Sequence, residues 1–149
     1  MVLNNRILTF LSAFFLLLSC SSDDNGQRNP FLNEVSFQIE ANLNLPQFDD
    51  IRFAGGSVYV NQGGIRGVII FNLNGSTFLA WEASCPNQAP NSCSTMEASG
   101  GLATCPCDGL QYSLGTGSPI PDAETGEASQ YPLLNYSARL SGNSVFVSN

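Results

Sequence analysis

Four cysteines, Cys85, Cys93, Cys105 and Cys107, fall within twenty-three residues of a stretch that has little else to hold it together. From Glu82 to Ser129 the chain is rich in Pro, Gly, Ser and Asn, and its apolar pieces are short, such as Leu110 and Tyr112. A loop-like run of about fifty residues is uncommon in a small domain unless it is functional or stapled. The cysteines are candidate staples, and four of them allow three pairings that spacing cannot distinguish. They are also candidate metal ligands, because thiolates suit zinc and iron–sulfur clusters. Both fold and chemistry turn on which of these the sulfurs do.

The sequence on either side of this insert has a β pattern. Val35, Phe37 and Ile39 alternate with Ser36, Gln38 and Glu40, the period of a half-buried strand. Asn42 to Asp50 contains Pro46 and reads as a connection, Ser57 to Val60 as a second strand, and Asn61-Gln62-Gly63-Gly64 as a turn. Gly67 to Leu73 is a buried-type run, Asn74-Gly75 a tight-turn signal, and Ser76 to Trp81 the returning strand of a hairpin. Alternation resumes from Leu133 to Leu140. Ser141-Gly142-Asn143 turns the chain, and Val145-Phe146-Val147 closes it. No sustained helical period follows residue 19. The expected fold is all-β, a sandwich or barrel of antiparallel strands spanning residues 34–149, with a loop-rich, cysteine-containing subdomain inserted at about 82–129.

The N-terminus reads as an export signal. Arg6 precedes an apolar run from Ile7 to Leu18, about twelve residues, which is too short for a bilayer of roughly 30 Å but suits a signal peptide. Leu17-Leu18-Ser19-Cys20 resembles the lipobox of bacterial lipoproteins. Residues 1–19 would then be removed and Cys20 would carry the lipid. Residues 20–33, polar and containing Gly26 and Pro30, would form a flexible tether. Asp23 and Asp24 resemble the acidic export signal of surface lipoproteins of Bacteroidetes-type bacteria. The expected address is therefore the outer membrane, facing the periplasm or the cell surface. The chain has no Lys, and five basic residues stand against twelve acidic ones, for a net charge of −7. Nucleic-acid binding needs a basic patch and is excluded. Attraction to anionic lipid is excluded as well, so acyl chains would have to supply the anchor.

Cys85-Pro86-Asn87 follows directly on the strand ending at Trp81, and Cys105-Pro106-Cys107-Asp108-Gly109 is followed three residues later by Tyr112. With Tyr131-Pro132-Leu133-Leu134-Asn135-Tyr136, Gly142-Asn143 and Val145-Phe146-Val147 downstream, the chain from about Val58 to Val147 resembles a Rieske domain. That family pairs a Cys-x-His box with a Cys-x-x-His box. A Rieske cluster takes two thiolates on one iron and two imidazoles on the other. By position, Cys85 and Cys105 match the thiolates, while Asn87 and Asp108 stand where the imidazoles belong. The chain contains no histidine. Cys93 and Cys107 match the extra cysteines that form a disulfide in some members.

Three readings follow. In the first, the sulfurs form two disulfides, and the resemblance implies Cys85–Cys105 and Cys93–Cys107. Export favours this outcome, and each closure contributes about 3 kcal/mol in the chain-entropy model. In the second, Cys85, Cys93, Cys105 and Cys107 hold a 2Fe–2S cluster, with Asp108 as a possible substitute ligand. In the third, they hold zinc, although the usual paired Cys-x-x-Cys spacing is missing. A dithiol oxidoreductase is disfavoured, because Cys105-Pro106-Cys107 lacks a helix-start context.

The absence of His and Lys also removes the common general base, the Ser–His and Cys–His pairs, and Schiff-base chemistry. Asp49-Asp50, and Asp122, Glu124 and Glu127, read as solvated loop carboxylates. Gly55-Gly56 and Gly115-Thr116-Gly117 read as turns, and Trp81 as core. The expectation is a lipid-anchored, non-enzymatic binding or structural module with no cofactor and an unidentified protein or small-molecule partner. The alternative is a 2Fe–2S electron carrier with Cys/Asp ligation.

Overall fold

The computed structural model describes residues 28–149. Residues 1–19, expected to be a signal peptide, Cys20 and the Asp23-Asp24 pair lie outside the described residues. Within them the chain forms ten strands: β1 Gln38–Asn42, β2 Ser57–Val60, β3 Val68–Asn72, β4 Phe78–Glu82, β5 Glu97–Ser99, β6 Leu102–Thr104, β7 Gln111–Ser113, β8 Pro119–Ile120, β9 Asn135–Ser141 and β10 Ser144–Ser148. Six strands make one antiparallel sheet in the order β1-β10-β9-β4-β3-β2, and four make a second in the order β5-β6-β7-β8. The first sheet uses chain from both sides of the insert, and the second is the insert itself. The fold is all-β with an inserted, cysteine-bearing subdomain.

Strand β3 explains the apolar run Val68-Ile69-Ile70-Phe71. Its alternate residues point into two different cores, so neither face meets water. Val68 and Ile70 join Phe48, Ile51, Ala80, Tyr136, Val145 and Val147 on one side of the sheet. Ile69 and Phe71 join Trp81, Ala83, Cys85, Met96, Ala103, Cys105, Tyr112 and Leu114 on the other. A strand covered on both faces reads as an unbroken hydrophobic segment. Ile69 is fully buried at this junction, and its truncation to Ala would cost about 2–5 kcal/mol. Trp81 is core, as its sequence context suggests. It is 6% exposed, and its indole N–H donates to the Leu114 carbonyl at 2.9 Å. Gly117 lies against the ring, where a Cβ would come within 2.5 Å of it.

Four expectations need correction. The first strand begins at Gln38 rather than Val35, because only from Gln38 does the chain pair with β10. The segment with Pro46 is a 3₁₀ helix, Pro46–Arg52, that buries Phe48 and Ile51. The β3–β4 connection is wider than a two-residue turn. Leu73 N–H donates to Thr77 O at 2.9 Å, and Asn72 and Asn74 side chains accept from Gly75, Ser76 and Thr77 backbone N–H groups. These local bonds favour a longer loop. Finally, the end of the tether is seated on the domain. Leu32 is buried, Asn29 Nδ2 donates to Pro86 O at 2.8 Å, and Phe31 meets Tyr131 edge-on at 6.0 Å. No helix among the described residues is long and apolar enough to cross a membrane.

Candidate functional site

The two cysteine boxes are loops that close small hairpins. The first runs between the Ser84–Thr95 bridge, and Cys85 N–H donates to Ser94 O at 2.8 Å. The second joins β6 to β7, which pair Thr104 with Gln111. Here Cys105 N–H donates to Leu110 O at 2.9 Å, and Gly109 N–H donates to Cys105 O at 2.8 Å. Gly109 takes φ 76°, a left-handed conformation that glycine reaches without steric cost. Backbone bonds thus shape each loop alongside the sulfurs.

Two disulfides then tie the loops together. Cys85 bonds Cys105 with Cα atoms 5.6 Å apart, and Cys93 bonds Cys107 with Cα atoms 5.3 Å apart. Of the three possible pairings, this is the one that the family resemblance implies. The two bonds differ in surroundings. Cys85 and Cys105 are fully buried in the core under the insert, whereas Cys93 is exposed and Cys107 half-buried. The sulfurs of Cys85, Cys105 and Cys107 all lie within 4.8 Å of one another.

Asn87 and Asp108, which the resemblance sets at the imidazole positions, are engaged in hydrogen bonds within the domain. Asn87 Oδ1 accepts from Gln130 N–H at 3.1 Å and Tyr131 N–H at 3.3 Å, and from Ser129 Oγ at 2.9 Å, whose one proton it shares with Tyr131 O at 2.6 Å. One amide oxygen therefore pins the segment that passes over the boxes and leads to β9. Asp108 is exposed, and its Oδ1 accepts Leu110 N–H at 3.0 Å, closing the second loop. Gln88 Nε2 lies 3.5 Å from Cys105 Sγ. Tyr112 is fully buried. Burial pushes its ionisation up to about 12, against a smaller lowering by the Ser129 hydroxyl nearby, which is too distant or misaligned to make a geometrically good hydrogen bond.

This donor set does not fit a Rieske cluster. Such a cluster needs two imidazoles, and the entire sequence has none. The two thiolate positions are bonded to each other, and the amide oxygen at Asn87 already faces three donors.

The acidic loop beyond β8 closes upon itself. Asp122 Oδ1 accepts from Glu124 N–H, Thr125 N–H and Thr125 Oγ1 at 2.8–3.0 Å. These bonds hold its carboxyl below its usual range, the Thr125 backbone N–H contributing most. Asp49 lies 3.3 Å from Arg52 on the surface.

Sequence reasoning passed over Glu82, the last residue of β4 and the joint between sheet and boxes. It is fully buried. Its Oε1 accepts Arg66 N–H at 2.9 Å and Ser84 N–H at 2.8 Å. Its Oε2 accepts Ile65 N–H and Tyr136 Oη–H, both at 2.6 Å. Burial and this bond together push Tyr136 ionisation far up. A Cβ at Gly64 would approach Oε2 to 2.5 Å, so the Gly63-Gly64 turn is what lets the loop close on the carboxylate. The available signal was a lone acid ending the apolar run Phe78-Leu79-Ala80-Trp81.

No known sequence family matches the chain, and no curated protein matches it. Among solved structures it is similar to a chain of the complex of reduced oxygenase and oxidized ferredoxin in carbazole 1,9a-dioxygenase. The identity is 20%, covering 78% of this chain and 94% of that one, with a TM-score of 0.49. It is similar also to the E. coli protein NirD, at 18% identity over 77% of this chain and 98% of that one, with a TM-score of 0.46.

Proposed function

We propose that the chain is a lipid-anchored extracytoplasmic module whose Rieske-like boxes are closed by disulfides in place of a cluster, and that it acts by binding or as a structural element. The observation that carries this reading is the Cys85–Cys105 bond between the two thiolate positions. The engagement of Asn87 with residues 129–131 accompanies it. A disulfide between the boxes supplies the crosslink that a bridging cluster would otherwise provide. It also suits an oxidising compartment.

The anchor adds a geometric consequence. Eight residues lie between Cys20 and Asn29, a reach of about 30 Å when fully extended. Asn29 is held on Pro86, beside the first box. A lipid on Cys20 therefore keeps the boxes close to the membrane surface, and the partner is one that meets the protein there.

The test is composition of the native protein purified from membranes. Absence of iron and of reactive thiols is expected. A brown protein with about two irons per chain overturns the reading in favour of electron transfer. That second reading rests on the proximity of the Cys85, Cys105 and Cys107 sulfurs. For the address, Cys20→Ala is expected to release the protein from membranes, and unchanged retention refutes the anchor.

A further inference from the structure

The two disulfides are neighbours with opposite access. Solvent reaches Cys93, while Cys85 and Cys105 are fully buried. Thiol–disulfide exchange requires a thiolate to touch a disulfide sulfur, so access governs which bond reacts first. Cys107 belongs to the accessible bond, yet its sulfur lies within 4.8 Å of both sulfurs of the buried one. Reacting atoms must approach to about 3–3.5 Å in line with the bond that breaks, so Cys107, once released and half-buried, must both approach by about an ångström and swing toward the Cys85 side.

We propose that the Cys93–Cys107 and Cys85–Cys105 bonds form a relay through which an external thiol reductant opens the buried pair without unfolding the domain. The reductant thiolate attacks Cys93 Sγ. A mixed disulfide forms there, the Cys93–Cys107 bond breaks, and Cys107 leaves as a thiolate. That thiolate attacks Cys85 Sγ, forming Cys85–Cys107, while the Cys85–Cys105 bond breaks and its electron pair stays on Cys105. Gln88 Nε2, at 3.5 Å from Cys105 Sγ, points a donor at this departing sulfur and singles out Cys85 as the atom attacked. Cys105 then takes a proton from solvent. A second reductant thiol attacks the mixed disulfide and releases Cys93 as a thiol. In balance, two thiols become one external disulfide, and the protein exchanges two disulfides for one disulfide and two thiols. The boxes stay joined through Cys85–Cys107, so the site changes its crosslink rather than losing it.

The relay rests on the disulfide-closed reading, and one experiment separates the two. The full-length exported protein is mapped by alkylation and peptide mass spectrometry before and during exposure to reduced glutathione. Free thiols or iron in the starting material refute the closed reading itself. From closed material, accumulation of Cys85–Cys107 with Cys105 alkylated is expected. Full reduction of Cys93 and Cys107 with Cys85–Cys105 intact overturns the relay. In the Cys93→Ser/Cys107→Ser double variant, opening of Cys85–Cys105 is expected to slow on the order of a hundredfold, since direct access is lacking. An unchanged rate overturns the relay. Where that variant fails to fold, as Trp81 fluorescence would report, the wild-type map decides alone.

Discussion

Replacing Glu82 by Gln removes one charge and almost no volume, which makes it a clean probe of the joint between sheet and boxes. The carboxylate accepts four hydrogen bonds, two on each oxygen. An amide has one oxygen, so one pair of donors must face an NH₂ group. If nitrogen took the Oε1 place, two backbone N–H groups, Arg66 and Ser84, would be stranded. If it takes the Oε2 place, only Ile65 N–H is stranded, because the Tyr136 hydroxyl can turn and accept. The second arrangement is the one expected. A buried unsatisfied donor costs about 1–3 kcal/mol, and loss of the ionic partner weakens each surviving bond by roughly 1 kcal/mol. With three bonds surviving, the sum is about 4–6 kcal/mol, relieved in part by no longer burying a charge. For a domain of this size that corresponds to a fall in Tm of roughly 15–20 °C.

The assay is urea unfolding followed through the only tryptophan, which sits in the core beside the insert. The Tyr136→Phe background sharpens it. There the hydroxyl cannot reorient to accept from the new NH₂, so the penalty for Glu82→Gln grows by about 1 kcal/mol. A Glu82→Gln variant within 1 kcal/mol of the wild type would refute the claim that the carboxylate organises the 63–67 loop.

Alkaline pH gives an independent measure of the buried hydroxyls. Tyr112 is pushed from 10.0 to about 12 and Tyr136 is raised further, so above about pH 10 the unfolded chain loses phenolic protons that the folded chain keeps. Stability contributed by the neutral phenols is therefore full below that pH and declines above it, by roughly 1.4 kcal/mol per pH unit per tyrosine. For Tyr112 the decline ends near pH 12. Urea midpoints should fall across this window, and Tyr136→Phe should flatten the fall. Asn87→Ala should cost about 1–3 kcal/mol and hasten proteolysis within 121–131. Asn87→Asp, which keeps an acceptor oxygen, should protect that segment nearly as well as the wild type. Removing Cys93–Cys107, with a separation of 14 residues, should cost about 3 kcal/mol in urea unfolding. Cys85→Ala/Cys105→Ala should cost more, because those sulfurs also fill the core. Equal losses would count against that difference in burial.

The six-stranded sheet was legible because most of its strands carry strong apolar signals. Ser57–Val60 stands where the sequence placed it, and within the Gly67–Leu73 run Val68–Asn72 is a strand covered on both faces. The four-stranded sheet was not legible. Its strands are two or three residues long, and Ala103 and Tyr112 are the residues they send fully into the core. Segments that short have no period to detect, and their pairing is imposed by the loops. The site divides likewise. The boxes could be read from Cys, Pro and Gly spacing, and the missing imidazoles from composition. Asn87 as an anchor and Glu82 as a joint could not, because their partners lie at least sixteen residues away along the chain, apart from Ser84. A long-range polar hub leaves no local pattern.

On the disulfide-closed reading proposed above, the boxes hold what the backbone needs and lack what only a metal would need. The second loop has Gly109 at its left-handed position, and both loops have the turn bonds that shape them. Both keep the sulfurs, now crosslinking the loops over a sequence separation of 20 residues. In the chain-entropy model that closure contributes about 3 kcal/mol, comparable to a substantial part of a small domain's net stability. Once a disulfide provides it, an imidazole at position 87 or 108 has no structural function, and those positions become free to serve the fold by other means. Asn87 does so by gathering three donors from residues 129–131, and Asp108 by closing its own turn. An Asn87→His/Asp108→His chain should therefore be less stable than the wild type while its disulfides are intact, since it loses both arrangements. Equal urea midpoints would mean that these contacts do not hold the boxes in shape.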